Sequence, residues 1–131
     1  MADGDGAELG VMLYGYDRAQ ALEVKMFLEA LTGRRVSVFG GSGLGDARVS
    51  DIIEGEEGEN FGAAEPRMLM FLGFDDAGIE AVLGALPRDG NLPRPIFCAP
   101  TENNMAWTLS YLLEHLLEER KYWSEMEGRR A

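Results

Sequence analysis

Two stretches of this chain carry residue types whose spacing invites chemistry. The first is FGGSGLGDARVSDII, residues 39–53. Gly40, Gly41, Gly43 and Gly45 follow an apolar run and precede a helical pattern, the setting of a loop that cradles phosphate on backbone N–H groups. The details oppose that chemistry. A dinucleotide fingerprint needs G-x-G-x-x-G, whereas Gly41-x-Gly43 runs on to Asp46; a Walker loop needs Gly-Lys followed by Ser or Thr, and this loop holds no lysine. Asp46 beside a helix start repels an anion, and its expected role is to cap the helix carrying Val49, Ile52 and Ile53.

The second stretch is APTENNMAWTLSYLLEHLLEE, residues 99–119. Thr101, Asn103 and Asn104 offer a hydroxyl and two amides, which serve either to cap a helix or to bind polar ligand atoms. Trp107 adds an apolar surface. Asp17 and Asp75 stand at the ends of two other predicted strands. These six residues form the candidate ligand or partner site. His115, the single histidine, has Glu118 and Glu119 at i+3 and i+4. One helix face thus offers an imidazole and carboxylates to a metal, but a further ligand is missing from the pattern. The expected reading is a solvated, salt-linked face, with no metal. Cys98, the lone thiol, has no basic neighbour in sequence and reads as a core cysteine. No base accompanies a Ser or Cys, so no catalytic residue is assigned, no cofactor is expected, and an enzyme is the less favoured reading.

The elements that must position these residues follow from apolar periodicity. LGVMLY (9–14) reads as a buried strand. Asp17 and Gln20 have the spacing of a capping box, Val24, Phe27, Leu28 and Leu31 form one helical stripe, and Gly33 suits the helix end. RVSVF (35–39) is a second strand. After the acidic segment the pattern restarts. MLMFL (68–72) reads as a strand, Ile79, Val82, Leu83 and Leu86 as a helical stripe, and PIFCA (95–99) as a strand. Met105, Leu109, Leu112, Leu113 and Leu116 mark a long helix ending near Tyr122 and Trp123, which are expected to cover the core, the alternative being an exposed anchor for a partner.

The recurrence has a register. Gly15-Tyr16-Asp17 and Gly73-Phe74-Asp75 lie 58 residues apart, as do Val38-Phe39 and Ile96-Phe97; VSDIIE (49–54) and LSYLLE (109–114) lie 60 apart. The chain therefore reads as one domain over 1–131, with pseudo-repeat halves 9–54 and 68–123 joined by an acidic linker, 55–67. The expected fold class is α/β. Two internally duplicated strand-helix-strand-helix units form one four-stranded sheet covered by helices, with parallel strands inside each unit. A ferredoxin-like α+β arrangement is the alternative, and the strand order stays open. In such sheets ligands sit at the C-terminal ends of strands, here the loops 15–17, 40–46, 73–75 and 100–104.

The second half also resembles a known family. FLGFDD, GIEAVLGAL and PIFCAPTENNMAWTLSYLLEHLLEER follow the pattern of the short bacterial domains called domain of unknown function 3783. Thr101, Asn104, Trp107, Thr108, Leu109, Glu118 and Glu119 are the matching positions. The resemblance implies no activity, because that family has none assigned. The first half departs from it, with glycines in place of the Thr-x-x-Asn loop and no Trp after them.

Composition bounds the partners. The formal net charge is −11, from 12 basic and 23 acidic residues. Such a chain repels phosphate backbones and anionic lipid, so neither nucleic acid nor membrane is expected as a partner. No apolar run approaches the roughly 20 residues of a membrane span, the start lacks signal-peptide character, and one cysteine permits no internal disulfide. A cytoplasmic protein is expected. Its leading function is a non-enzymatic interaction or regulatory module, self-associating or binding a protein through a helix face or sheet edge. The alternative is a small-molecule binding protein using the strand-to-helix loops, its ligand unknown.

Overall fold

The fold is given by a computed structural model that describes residues 9–54, 60–85 and 95–130, side chains of 122–130 excepted. The order is β1 (Leu9–Tyr14), α1 (Arg18–Thr32), β2 (Val36–Gly40), α2 (Val49–Glu54), β3 (Met68–Leu72), α3 (Asp76–Ala85), β4 (Ile96–Cys98), α4 (Glu102–Met105) and α5 (Leu109–Arg130). The strands form one sheet in the order β2-β1-β3-β4. β1 runs parallel to β2 and β3 parallel to β4, while β1 and β3 meet antiparallel at the centre. The sheet is therefore mixed. A wholly parallel sheet and the ferredoxin-like order, which separates the parallel strands of each unit, are both ruled out.

Layering follows from strand alternation. Leu9, Val11, Leu13, Leu69 and Phe71 point to one face, where α1 and α3 bring Ala21, Val24, Leu28 and Val82. Met12, Met68 and Met70 point to the other, where α2 and α5 bring Val49, Ile52, Leu109, Leu112 and Leu116. With both faces covered, the central strands need apolar residues at every position, and LGVMLY and MLMFL read as continuous runs for that reason. Each fully buried Leu, Val or Met contributes about 1.5–3 kcal/mol relative to exposure.

The halves are arranged reciprocally. Met12 faces Met70 across the antiparallel pair. Val11 lies beside Val38, and Leu69 beside Phe97. On the helical side, the Val49 N–H donates to Trp107 O and the Leu109 N–H to Ala47 O, both at 2.9 Å, with Arg48 bridged to Thr108 between them. The starts of α2 and α5 are tied together by these bonds.

Three boundaries differ from expectation. Met105 belongs to the short α4, and α5 begins only at Leu109. The chain breaks between them because the Trp107 carbonyl is taken by Val49, while Thr108 Oγ1 accepts the Tyr111 N–H at 3.2 Å and starts the new helix. α5 continues past Trp123 to Arg130 through a segment free of proline. α2 begins at Val49, so the residue before it is Arg48 and Asp46 lies too early to cap it. Leu86, the side chains of Tyr122 and Trp123, and residues 55–59 of the acidic linker lie outside the described residues.

Candidate interaction surface

The glycine loop is built to pack against protein. A Cβ on Gly40 would collide with the Asn60 carbonyl oxygen and the Phe61 ring, and one on Gly45 with the Ser110 hydroxyl. Three of the loop amides are spent as well. Gly41 N–H donates to Leu13 O at 3.0 Å, Ser42 N–H to Asn60 O at 2.9 Å, and Leu44 N–H to Gly41 O at 3.0 Å. Close approach of neighbouring atoms explains Gly40 and Gly45, a φ of 78° explains Gly43, and three of the donors a phosphate cradle would use are engaged.

The six candidate residues divide by location and by role. Asp17 caps α1: its Oδ1 accepts the Gln20 N–H at 2.8 Å, and Gln20 Oε1 accepts the Asp17 N–H at 3.1 Å. Asp75 does the same for α3, with Oδ1 accepting the Gly78 N–H at 2.7 Å. Thr101 and Asn104 form a second reciprocal box around the start of α4, at 2.8 and 3.0 Å. Asn104, buried, also donates its amide to Ala99 O at 3.1 Å, so its side chain serves both helix and strand end. Asn103 is exposed. Because β1 and β3 are antiparallel, loops 15–17 and 40–46 leave one end of the sheet, while 73–75 and 100–104 leave toward the other. The four loops do not converge. A groove of about 260 Å³ beside Leu9, Thr32, Phe74 and Asp75 is smaller than ordinary ligand pockets.

Trp107 is half-buried and returns to the glycine-loop side through its bond with Val49. Tyr111 and His115 stack edge-on against it, with centroids at 4.8 and 5.0 Å, and His115 Nε2 lies 3.4 Å from Glu119. The His115 ring is thus held between an indole and a carboxylate. Among the described residues no three His, Cys, Asp or Glu side chains gather as a metal site requires. Burial, with a contribution from Glu119, pushes the Cys98 thiol up to about 12. At neutral pH Cys98 is a thiol, not a nucleophilic thiolate.

The residues that sequence reading missed lie on α1. Ala21, Val24 and Leu28 are buried, yet Leu22 and Met26, one turn apart, are 55% and 61% exposed. Ala19 and Ala30 continue the same exposed row. Their i, i+4 spacing was visible in the sequence as a second apolar row beside the core stripe. Between that row and the core stripe, Lys25 and Glu29 of α1 guard the sheet. Glu29 Oε2 accepts the Val36 N–H at 3.0 Å, and Lys25 Nζ donates to Val36 O at 2.8 Å. Those two bonds occupy backbone groups of edge strand β2 that another strand would need.

Residues 67–123 match the family model described as Domain of unknown function (DUF3783). This bears out the resemblance carried by the Thr-x-x-Asn and Trp-Thr-Leu motifs. The matched segment holds β3, α3, β4, α4 and the first part of α5, and in this chain β1 pairs with its β3. No curated protein and no solved structure matches the chain. Among the described residues no helix is long and apolar enough to cross a membrane.

Proposed function

We propose that this protein is a non-enzymatic interaction module that docks a protein partner on the outer face of α1. The observation that carries the reading is the exposed pair Leu22 and Met26 on a helix whose other side is anchored in the core. Large apolar side chains clustered on an ordered helix are the usual material of a docking face. The guarded edge of β2 favours the helix face over strand addition. The division of the strand-to-helix loops between two ends of the sheet weighs against a small-molecule site built from them.

The test is affinity capture from a lysate of the source cell, with wild type and Leu22→Glu/Met26→Glu as baits. Both substituted positions are exposed, so the variant should keep its circular dichroism and melting temperature. A stoichiometric partner, this chain included, held by wild type and lost by the variant is the expected result. A partner held equally by both, or none at all with a correctly folded bait, overturns the reading.

A further inference from the structure

We infer that the groove between the end of α1 and the start of α3 binds a free α-amino acid with an apolar side chain. The site is separate from the α1 docking face and involves neither Leu22 nor Met26.

The fold assembles the groove from both halves of the chain. Because β3 runs antiparallel to β1, Leu72 pairs with Gly10, and the loop after β3 emerges beside the start of β1. Leu9, Leu31 and Phe74 supply apolar walls, Arg34 comes from the turn between α1 and β2, and Asp75 from the loop before α3. The walls are set before any ligand arrives. The Phe74 ring packs edge-on against Phe71, with centroids at 5.1 Å. Thr32 Oγ1 accepts the Arg34 N–H at 3.2 Å and donates to Leu28 O at 2.8 Å, which ties the turn to α1.

The Asp75 carboxylate serves more than its helix. Its Oδ1 accepts the Gly78 N–H at 2.7 Å, while Oδ2 has no hydrogen bond among the described residues. Gly78 keeps the space beside it open. A Cβ there would stand 3.1 Å from Asp75 Oδ1 and 3.4 Å from the Phe74 ring. Glycine weakens a helix relative to alanine, so its place in the first turn of α3 favours the groove over the helix.

Charge and size select the ligand. The protein carries a net charge of −11, which repels anions. A simple cation is drawn to Asp75 but meets Arg34. A zwitterion carries no net charge and answers both groups: its carboxylate pairs with the Arg34 guanidinium and its ammonium with Asp75. The groove measures about 260 Å³, below the range of pockets for drug-sized ligands. At roughly 30 Å³ per water it holds about nine waters, matching the non-hydrogen atoms of one leucine or methionine. A ligand this small binds with a dissociation constant on the order of 0.1–1 mM.

The test is a titration of the full chain with L-leucine to about 10 mM, followed by amide NMR at neutral pH. Saturable shifts are expected at the Gly73, Asp75 and Gly78 amides. Glycine, which lacks the side chain, should bind at least about tenfold more weakly. Isocaproate, which lacks the ammonium, and isopentylamine, which lacks the carboxylate, should each be weaker by a similar factor. Asp75→Asn keeps an oxygen for the Gly78 N–H and loses the charge, and Arg34→Gln removes the guanidinium. Each should weaken L-leucine at least about tenfold while circular dichroism stays unchanged. No saturable shift at these amides with L-leucine, L-isoleucine, L-valine or L-methionine overturns the inference. So do equal shifts from isocaproate or isopentylamine, or unchanged L-leucine binding in either folded variant.

Discussion

Asn104 shows how much structural work one amide can do. It closes a capping box with Thr101 and holds Ala99 O from a buried position. Asn104→Ala would leave backbone groups of both the helix start and the β4 end without partners. The expected loss is about 2–3 kcal/mol in urea unfolding, against about 1 kcal/mol for Thr101→Ala. Equal losses would mean that the bond to Ala99 contributes nothing. Cys98 gives a chemical readout of burial. Its thiol is raised to about 12, first by burial and then by Glu119. At pH 8 it should react with a disulfide reagent at least about a hundredfold more slowly than free cysteine. A rate near that of the free amino acid would place it in solvent.

At the scale of elements, α1 has three functions: it covers the core, guards an edge and presents a face. The edge function is pH-dependent. The Glu29 carboxyl is held below its ordinary value chiefly by the hydrogen bond from the Val36 N–H; burial opposes it, and Lys25 and Arg35 act with the hydrogen bond. A depressed folded-state value stabilises the fold above the ordinary 4.5, and that contribution is lost as pH falls through the folded-state value. Glu29→Gln keeps an acceptor and loses the charge. It should be less stable than wild type at pH 7, with the difference closing below pH 4.5. A difference that persists at low pH would assign the effect to packing. α1 also shows what was legible in advance. Its capping box and its Gly33 terminus at φ 71° are local signals, and both were readable; of the expected core stripe Val24 and Leu28 are buried, whereas Leu31 is 38% exposed and Ala21 is buried instead. Strand order was not, because it depends on β1 meeting β3 antiparallel, a pairing between residues 54 to 62 apart that neither segment encodes alone. The same holds for the break before α5. Met105 continues the apolar stripe, and only the bond from Val49 to the Trp107 carbonyl shows why the helix restarts. Of the six candidate site residues, Asp17, Asp75, Thr101 and Asn104 make local capping bonds, which their spacing encodes. The exposed row on α1 is apolar like the core stripe, and only the packing of the sheet decides which of the two faces solvent.

For the molecule as a whole, the central strands come one from each half. Neither half covers its own inner strand, since β1 and β3 complete each other. Unfolding should therefore be a single cooperative event, with tryptophan fluorescence and far-UV circular dichroism following one curve. Two separated transitions would mean that the halves are independent units, against the expectation of one domain. The clasp between the starts of α2 and α5 carries this coupling to the level of single amides. Val49 N–H is held by Trp107 and Leu109 N–H by Ala47, and the same two short segments supply both bonds. One cannot open to solvent without the segment that holds the other moving away. In deuterium exchange monitored by NMR, these two amides should lose protection together, at one rate, although 60 residues of chain separate them.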